Sequence, residues 1–265
     1  MFTKLLNKIA VCFLLCTLLT NVSTSTAADS DCQDPNCVSE CKELYDILKL
    51  REDANDTEIT QLLDIPDKRT FATLLIRYRK ISSATPKLLQ IVNDVNDSDA
   101  TIFAKIAAAK ALCDFGNREW MPTIKALSTD PNSVVGRRTP QKIKVAGLLA
   151  RAGDYSQFAV VAIHIDDNKR SVRYVAIQAL GNFRHKTEPV TDLAAVLLTF
   201  TAISDPVPWL RELAIYSLEK IAKIKPEITS RVINALEANI DSPDKNLRRV
   251  CRVKLTTYGR KLKAD

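Results

Sequence analysis

A twelve-residue pattern recurs along the C-terminal part of the chain. Its clearest copy spans 172–183, and further copies begin 38 and then 37 residues later, at 210–221 and 247–258. A copy at 104–115 lies 68 residues before the first, and 141–153 fits the same frame less well. Self-similarity at a fixed period is the signature of a repeat protein, in which each unit packs mainly on its neighbours.

Each copy has the spacing of one helical face. In the copy at 172–183, the small residues Ala176 and Ala179 and the apolar residues Leu180 and Phe183 fall on the same side of a helix. Second apolar helical segments lie between the copies, at 120–127, 157–165, 190–203 and 228–240. A two-helix unit cannot bury both apolar faces alone, so the pattern predicts an all-α solenoid of stacked helical hairpins.

Acidic residues precede the basic residue of most copies. Asp99, Asp167 and Asp205 each come six residues before a basic residue, and Asp241 comes seven before one; those basic residues are Lys105, Arg173, Arg211 and Arg248. Such carboxylates can cap helices and pair with a basic side chain of the same or the next unit. We therefore expect these arginines to be structural, with ligand contact as the alternative.

The N-terminus has the order of a secretory signal peptide. Lys4 and Lys8 precede an apolar run at 9–19, and a small, polar stretch follows at 21–28. The run is eleven residues long, well short of the roughly 20 residues that span a bilayer as a helix. Residues 1–28 are therefore predicted to be removed, which leaves a periplasmic or secreted chain that is not an integral membrane protein.

Five cysteines remain after that cleavage, and an odd number leaves at least one thiol unpaired in an oxidising compartment. Cys32, Cys37 and Cys41 lie together without a nearby histidine, so a disulfide from Cys32 to Cys37 or to Cys41 is favoured over a zinc site. Cys113 and Cys251 fall on helix faces and are expected to be buried thiols.

Residues 29–96 show no clear repeat. Candidate helices lie at 38–50, 57–63, 68–81 and 86–95, with Asn55-Asp56 and Asp67 as start signals. This region is interpreted as an N-terminal helical cap or as degenerate repeats.

The pattern Val-Arg-x-x-Ala-x-x-Ala-Leu at 172–180 resembles the HEAT-repeat family, especially the short HEAT-like units also found in phycobilisome lyases. The resemblance covers 97–265. It implies a right-handed superhelix whose concave face binds proteins or peptides, usually without catalysis. Those lyases attach chromophores, which leaves a lyase-type enzyme as an alternative; it is less favoured because they act in the cytosol, whereas this chain carries an export signal.

Few residues suit catalysis. The chain has two histidines, His164 and His185, and it lacks a glycine-rich phosphate loop, a nucleophile elbow and a zinc-protease helix. His164 lies near Asp166 and Asp167, but a helix-end role is favoured over a metal site. We predict no catalytic residue, no metal and no cofactor.

Candidate partner contacts lie in the last third of the chain. Residues 244–265 are strongly basic, so Arg248, Arg249 and Arg252 are candidates for an anionic lipid, glycan or protein, while export argues against nucleic acid. An exposed Trp209 could anchor a ligand, although burial between repeats is expected for it and for Trp120. The leading hypothesis is a scaffold that binds a protein segment on its concave surface through the second helices; the alternative is an envelope-surface binder that uses the basic end.

Overall fold

The computed structural model describes residues 44–46, 48, 50–51, 53–95 and 99–259. These residues form helices and turns, and no β-strand occurs among them. The chain divides into two compact units, 1–84 and 85–265. The all-α fold predicted from the repeat is confirmed.

The described part of the first unit contains the helices α1 (Asp56–Gln61) and α2 (Arg69–Tyr78). Asn55 starts α1 as the sequence predicts: its Oδ1 accepts a hydrogen bond from the backbone N–H of Glu58 at 2.9 Å, and the Glu58 carboxylate accepts one from the backbone N–H of Asn55 at 2.9 Å. This capping box satisfies two donors that a helix start otherwise leaves unpaired. Beneath the helices lies an apolar core that includes Ile59, Leu63, Leu75 and Ile76.

The second unit begins with α3 (Thr85–Val92) and continues through ten further helices. They are α4 (Asp99–Asp114), α5 (Met121–Thr129), α6 (Val134–Arg137), α7 (Thr139–Arg151), α8 (Phe158–Ala162), α9 (Arg170–Leu180), α10 (Pro189–Ser204), α11 (Pro208–Ala222), α12 (Thr229–Glu237) and α13 (Lys245–Thr257).

These helices form two layers. The five copies of the pattern lie on α4, α7, α9, α11 and α13, called the repeat helices below, and from α7 onward each packs against the next. The helices between them, α5, α8, α10 and α12, are called the second helices; α10 lies between α8 and α12 and also packs on α11. The predicted stack of helical hairpins is confirmed in this unit.

The face predicted from the spacing is the face that is buried. In α9, Ala176 and Leu180 are fully buried, and Phe183 just beyond the helix is buried as well. In the next copy, Ala214 and Leu218 occupy the same buried positions. One continuous core therefore runs through successive repeats, as expected when each hairpin is completed by its neighbour.

Two glycines lie where repeat helices approach each other closely. A Cβ placed on Gly147 of α7 would lie 2.8 Å from the Cβ of Ala179 in α9, and one placed on Gly181 would lie 3.0 Å from the Cβ of Ser217 in α11. The frame read from the sequence puts Leu148, rather than Gly147, at the small position of α7. The contact with α9 therefore uses a glycine at a position that the pattern does not require to be small.

Candidate functional site

The basic residue of the clearest repeat is part of a buried ion pair between units. Arg173 on α9 donates from Nε to Asp205 Oδ2 at 2.8 Å and from Nη2 to Asp205 Oδ1 at 3.2 Å. The two side chains are 10% and 3% exposed. The hydrogen bond with Asp205 raises the pKa of Arg173 although its burial acts in the opposite direction. Arg173 is therefore structural.

The loop of its own unit also holds Arg173. Nη1 donates to the backbone carbonyl of Asp167 at 2.9 Å. The carboxylate of Asp167 accepts from the backbone N–H of Lys169 at 2.8 Å, and Asp205 accepts in the same way from Val207 at 2.8 Å. The structural role expected for Asp167 and Asp205 is confirmed, but the expected pairing with a basic side chain of the same or the next unit is wrong. Asp205 pairs with the arginine of the unit before it, and Asp167 accepts from Arg173 through its backbone carbonyl.

The next repeat uses a residue that the sequence did not reveal. Arg211 donates from Nη1 to the side-chain oxygen of Asn239 at 3.1 Å, and the amide nitrogen of Asn239 donates to the carbonyls of Ala202 and Ala235 at 2.9 and 2.7 Å. Asn239 is fully buried. The sequence contains no signal for Asn239, because it is not one of the acidic residues that precede each arginine.

The basic C-terminal helix, α13, is only partly available to a partner. Arg248 donates to the carbonyl of Ser242 at 2.5 Å, and Arg252 donates to the carbonyl of Ile240 at 3.2 Å. Arg249 is exposed. Of the three arginines predicted as partner contacts, two therefore also hold the preceding turn.

The two tryptophans have different environments. Trp120 is fully buried and donates from Nε1 to the carbonyl of Asn117 at 2.9 Å, as expected. The expectation of burial is wrong for Trp209, which is 45% exposed. Its ring lies 5.6 Å from that of Tyr174 on the neighbouring repeat helix. Trp209 sits in the first turn of α11, where one neighbouring helix covers only one side of the indole.

An apolar stripe runs along the outer face of α10. It consists of Leu193, Val196, Phe200 and Ile203, which are 54%, 44%, 64% and 45% exposed. Their spacing places them on one side of the helix. Asp192 is the single charged residue of α10, and it pairs with Lys225 at 2.6 Å. The sequence predicts that one face of this helix packs in the core. The lack of charged residues after Asp192 indicates that the opposite, outer face is apolar as well.

The repeat helices have a different surface character. The sequences of α7, α9 and α13 contain basic residues and no acidic residue. On α11, the ammonium group of Lys220 lies 4.6 Å from the ring centroid of Tyr216. Three of the repeat helices are therefore purely basic in their charged residues, whereas α10 carries four exposed apolar residues in register.

The remaining residues considered for metal binding or disulfide formation are the histidines and cysteines. His164 Nδ1 lies 3.3 Å from Asp167 Oδ2, and within the described ranges no three His, Cys, Asp or Glu side chains are grouped to hold a metal ion. Cys113 and Cys251 are buried as expected, and burial raises the pKa of Cys251 to about 11. Cys32, Cys37 and Cys41 lie outside the described residues.

None of the helices in the described part of the chain combines the length and the apolar character needed to cross a membrane.

Comparison with known proteins identifies the repeat. Residues 159–255 match the family model of HEAT repeats. No curated protein sequence matches the chain.

Several solved structures are similar to this chain at low sequence identity. The designed armadillo repeat protein YIII(Dq)4CqI is 14% identical, with 82% of this chain and 98% of that chain covered at a TM-score of 0.47. A computationally designed armadillo repeat protein for modular peptide recognition is 14% identical over 82% and 98% of the two chains, with a TM-score of 0.43. Human deoxyhypusine hydroxylase in complex with glycerol is 18% identical over 83% and 90%, with a TM-score of 0.35.

Proposed function

Since this chain carries HEAT-like repeats, we propose that it is an exported, non-catalytic scaffold that binds a protein segment on the surface of its second helices. A solenoid of stacked hairpins offers an extended surface without a closed pocket, which suits binding rather than catalysis. The segment it binds is proposed to carry apolar side chains.

The apolar stripe on α10 is the observation that carries this proposal. Single exposed apolar residues are common on proteins, but four in register on one helix form a continuous patch. Leu193, Val196, Phe200 and Ile203 follow one side of α10, so an apolar segment that lies along this helix can contact all four. Full burial of such side chains is worth about 1.5–3 kcal/mol each, so covering their exposed halves contributes about 1 kcal/mol per residue.

The test uses Phe200, the most exposed member of the stripe. Phe200→Asp places a charge where the partner needs an apolar surface, and we expect about 3 kcal/mol, or roughly 100-fold, weaker binding. Affinity capture from an envelope extract, run at low and at high salt, compares the wild type, Phe200→Asp and Asn234→Asp. Asn234 is exposed on α12, which packs on α10, so its variant adds the same charge outside the stripe.

A discrete protein held at high salt by the wild type and Asn234→Asp, and lost with Phe200→Asp, is the expected result. Apolar contacts withstand salt, whereas surface charge attraction is screened. Equal capture by all three proteins contradicts binding at the stripe.

Export is part of the proposal and is supported by the order of charge and hydrophobicity in residues 1–28. The mature protein is then periplasmic or secreted. Intact mass of the protein recovered outside the cytoplasm should correspond to a chain that begins after Ala27 or Ala28; a mass that includes Met1 contradicts cleavage.

An envelope-surface binder is the alternative, and the composition of α13 favours it. This helix carries Lys245, Arg248, Arg249, Arg252 and Lys254 with no acid. Lys245→Glu with Arg249→Glu reverses two exposed charges and leaves the contacts of Arg248 and Arg252 in place. If this alternative is right, the double variant loses low-salt binding to anionic vesicles; unchanged binding rules it out.

A further inference from the structure

Basic side chains gather at the C-terminal ends of three successive repeat helices. Arg151 is the last residue of α7, Arg184 lies four residues beyond α9, and Lys220 lies in the last turn of α11. Lys223 follows as the residue that caps α11. Gly147 near the end of α7 approaches Ala179 near the end of α9, and Gly181 just beyond α9 approaches Ser217 in the second half of α11, so these C-terminal ends lie on one side of the repeat layer.

These charges are close enough to repel one another. Burial, followed by the positive charges of Arg184, Arg151 and Lys223, lowers the pKa of Lys220 to about 8. Burial and the charge of Arg151 also lower the pKa of Arg184. A group of cations that disfavour each other's charge is in need of a counter-charge.

Few counter-charges are present. Arg151 pairs with Asp114. Neither Arg184 nor Lys220 forms an ion pair within the part of the chain that the structure describes, and Lys220 instead faces the ring of Tyr216. Long basic side chains normally extend to keep their charge in water, so half-buried cations without a carboxylate are unusual.

The helix ends compensate only part of this charge. The C-terminus of a helix carries about −0.5 charge, so three ends supply roughly −1.5, and Asp114 supplies one more. Against four cations this leaves an excess of about 1.5 positive charges, which is close to the charge of a phosphate at neutral pH.

We propose that Arg151, Arg184 and Lys220 form a binding site for a tetrahedral oxyanion of the phosphate or sulfate type, either free or as the end group of a larger molecule. The guanidinium group of Arg184 can offer paired donors to such an ion, the donors of Arg151 that Asp114 does not occupy can add to them, and the ammonium group of Lys220 adds a point charge. The site lies on the repeat helices, apart from the apolar stripe of α10, and it does not depend on the scaffold function.

The first test is calorimetric titration of the full chain with inorganic phosphate at pH 7 and constant ionic strength. Lys220→Gln and Arg184→Gln should each bind phosphate at least about tenfold more weakly, because each loses a charge-assisted hydrogen bond. Lys169→Gln is the matched control: it removes the same charge from an exposed position at the opposite end of α9. Wild-type affinity in both site variants, or an equal loss in the control, overturns the proposal.

A second measurement needs no variant and so does not depend on folding. With a pKa of about 8, Lys220 has far more free amine at pH 7.5 than an ordinary lysine, so it should be acetylated faster than Lys245. Bound phosphate raises that pKa and covers the amine, so saturating phosphate should slow acetylation of Lys220 severalfold and leave Lys245 unchanged. Equal rates at Lys220 with and without phosphate, measured by mass spectrometry, contradict the site.

The source of the oxyanion is decided by competition. Vesicles that contain phosphatidylglycerol protect Lys220 from acetylation if a lipid headgroup enters the site, whereas phosphatidylcholine vesicles serve as the neutral control. Protection by inorganic phosphate without protection by either vesicle assigns the site to a free ion.

Discussion

Removal of the Asp205 carboxylate should show how much the Arg173–Asp205 ion pair between repeats contributes to the free energy of unfolding. In Asp205→Ala, the guanidinium group of Arg173 stays buried and loses both of its hydrogen bonds to the carboxylate. The variant also removes the hydrogen bond from the backbone N–H of Val207, which shapes the turn into α11. The perturbation therefore acts on two adjacent units together.

The magnitude follows from the burial of the pair. Breaking a buried pair by removing one partner costs about 3–5 kcal/mol, because an uncompensated charge remains in the interior. The side chains of Arg173 and Asp205 are 10% and 3% exposed, so water cannot easily replace the carboxylate. For a chain of this size, that loss lowers the unfolding temperature by roughly 10 °C.

The assay is thermal unfolding followed by circular dichroism, with a second ion pair as the control. Lys225, in the turn after α11, and Asp192 on α10 lie 2.6 Å apart, but Asp192 is 50% exposed. Asp192→Ala should therefore cost less than about 1 kcal/mol. The double variant Arg173→Met with Asp205→Ala should regain part of the stability, because it leaves no unpaired buried charge.

Two results would refute this reasoning. Equal destabilisation by Asp205→Ala and Asp192→Ala would mean that burial does not set the cost. A double variant less stable than Asp205→Ala would mean that Arg173 contributes through packing rather than through its charge.

Three further predictions concern single groups. Gly147→Ala should lower the urea midpoint by an amount equivalent to about 1–3 kcal/mol, since two helices must separate to admit the methyl group; an unchanged midpoint contradicts this close approach. Burial acts to raise the pKa of Asp154, but hydrogen bonds from Lys125 and Ser156 outweigh it and bring the value to about 2, below the ordinary 3.8. The folded form therefore gains stability above about pH 4 and loses it as the pH falls to about 2. With Lys125 partly exposed, the loss should be about 1 kcal/mol, and Lys125→Met should reduce it in acid titrations while the hydrogen bonds from Ser156 retain the rest. Cys251, with its pKa raised to about 11 by burial, should resist iodoacetamide at pH 8 in the folded chain and react in urea, as mass spectrometry can show; rapid native alkylation would contradict its burial.

The repeat and its buried face could be predicted from sequence because both depend on local spacing. Ala176, Leu180 and Leu218 recur at intervals that keep them on one side of a helix, and all three are buried. The capping box at Asn55 was visible for the same reason, since its two partners are three residues apart. These features are fixed within a single helix or its first turn.

The residue that each arginine pairs with could not be predicted from local spacing. Arg173 binds a carboxylate 32 residues away in the chain, although Asp167 lies only six residues before it. Arg211 binds Asn239, a residue type that the search for carboxylates did not consider. Both choices depend on how one hairpin stacks on the next.

The sequence by itself determined the helices, their period and the face that each turns to its neighbour. The tertiary structure alone decided which remaining apolar side chains stay exposed. Trp120 and Trp209 are the same residue type near the start of a helix, yet one is buried and the other is nearly half exposed. Phe200 lies in an apolar helix and still faces outward. Hydrophobicity shows that a side chain is able to be buried, but burial itself requires a second surface, and only the stacking of the helices supplies one.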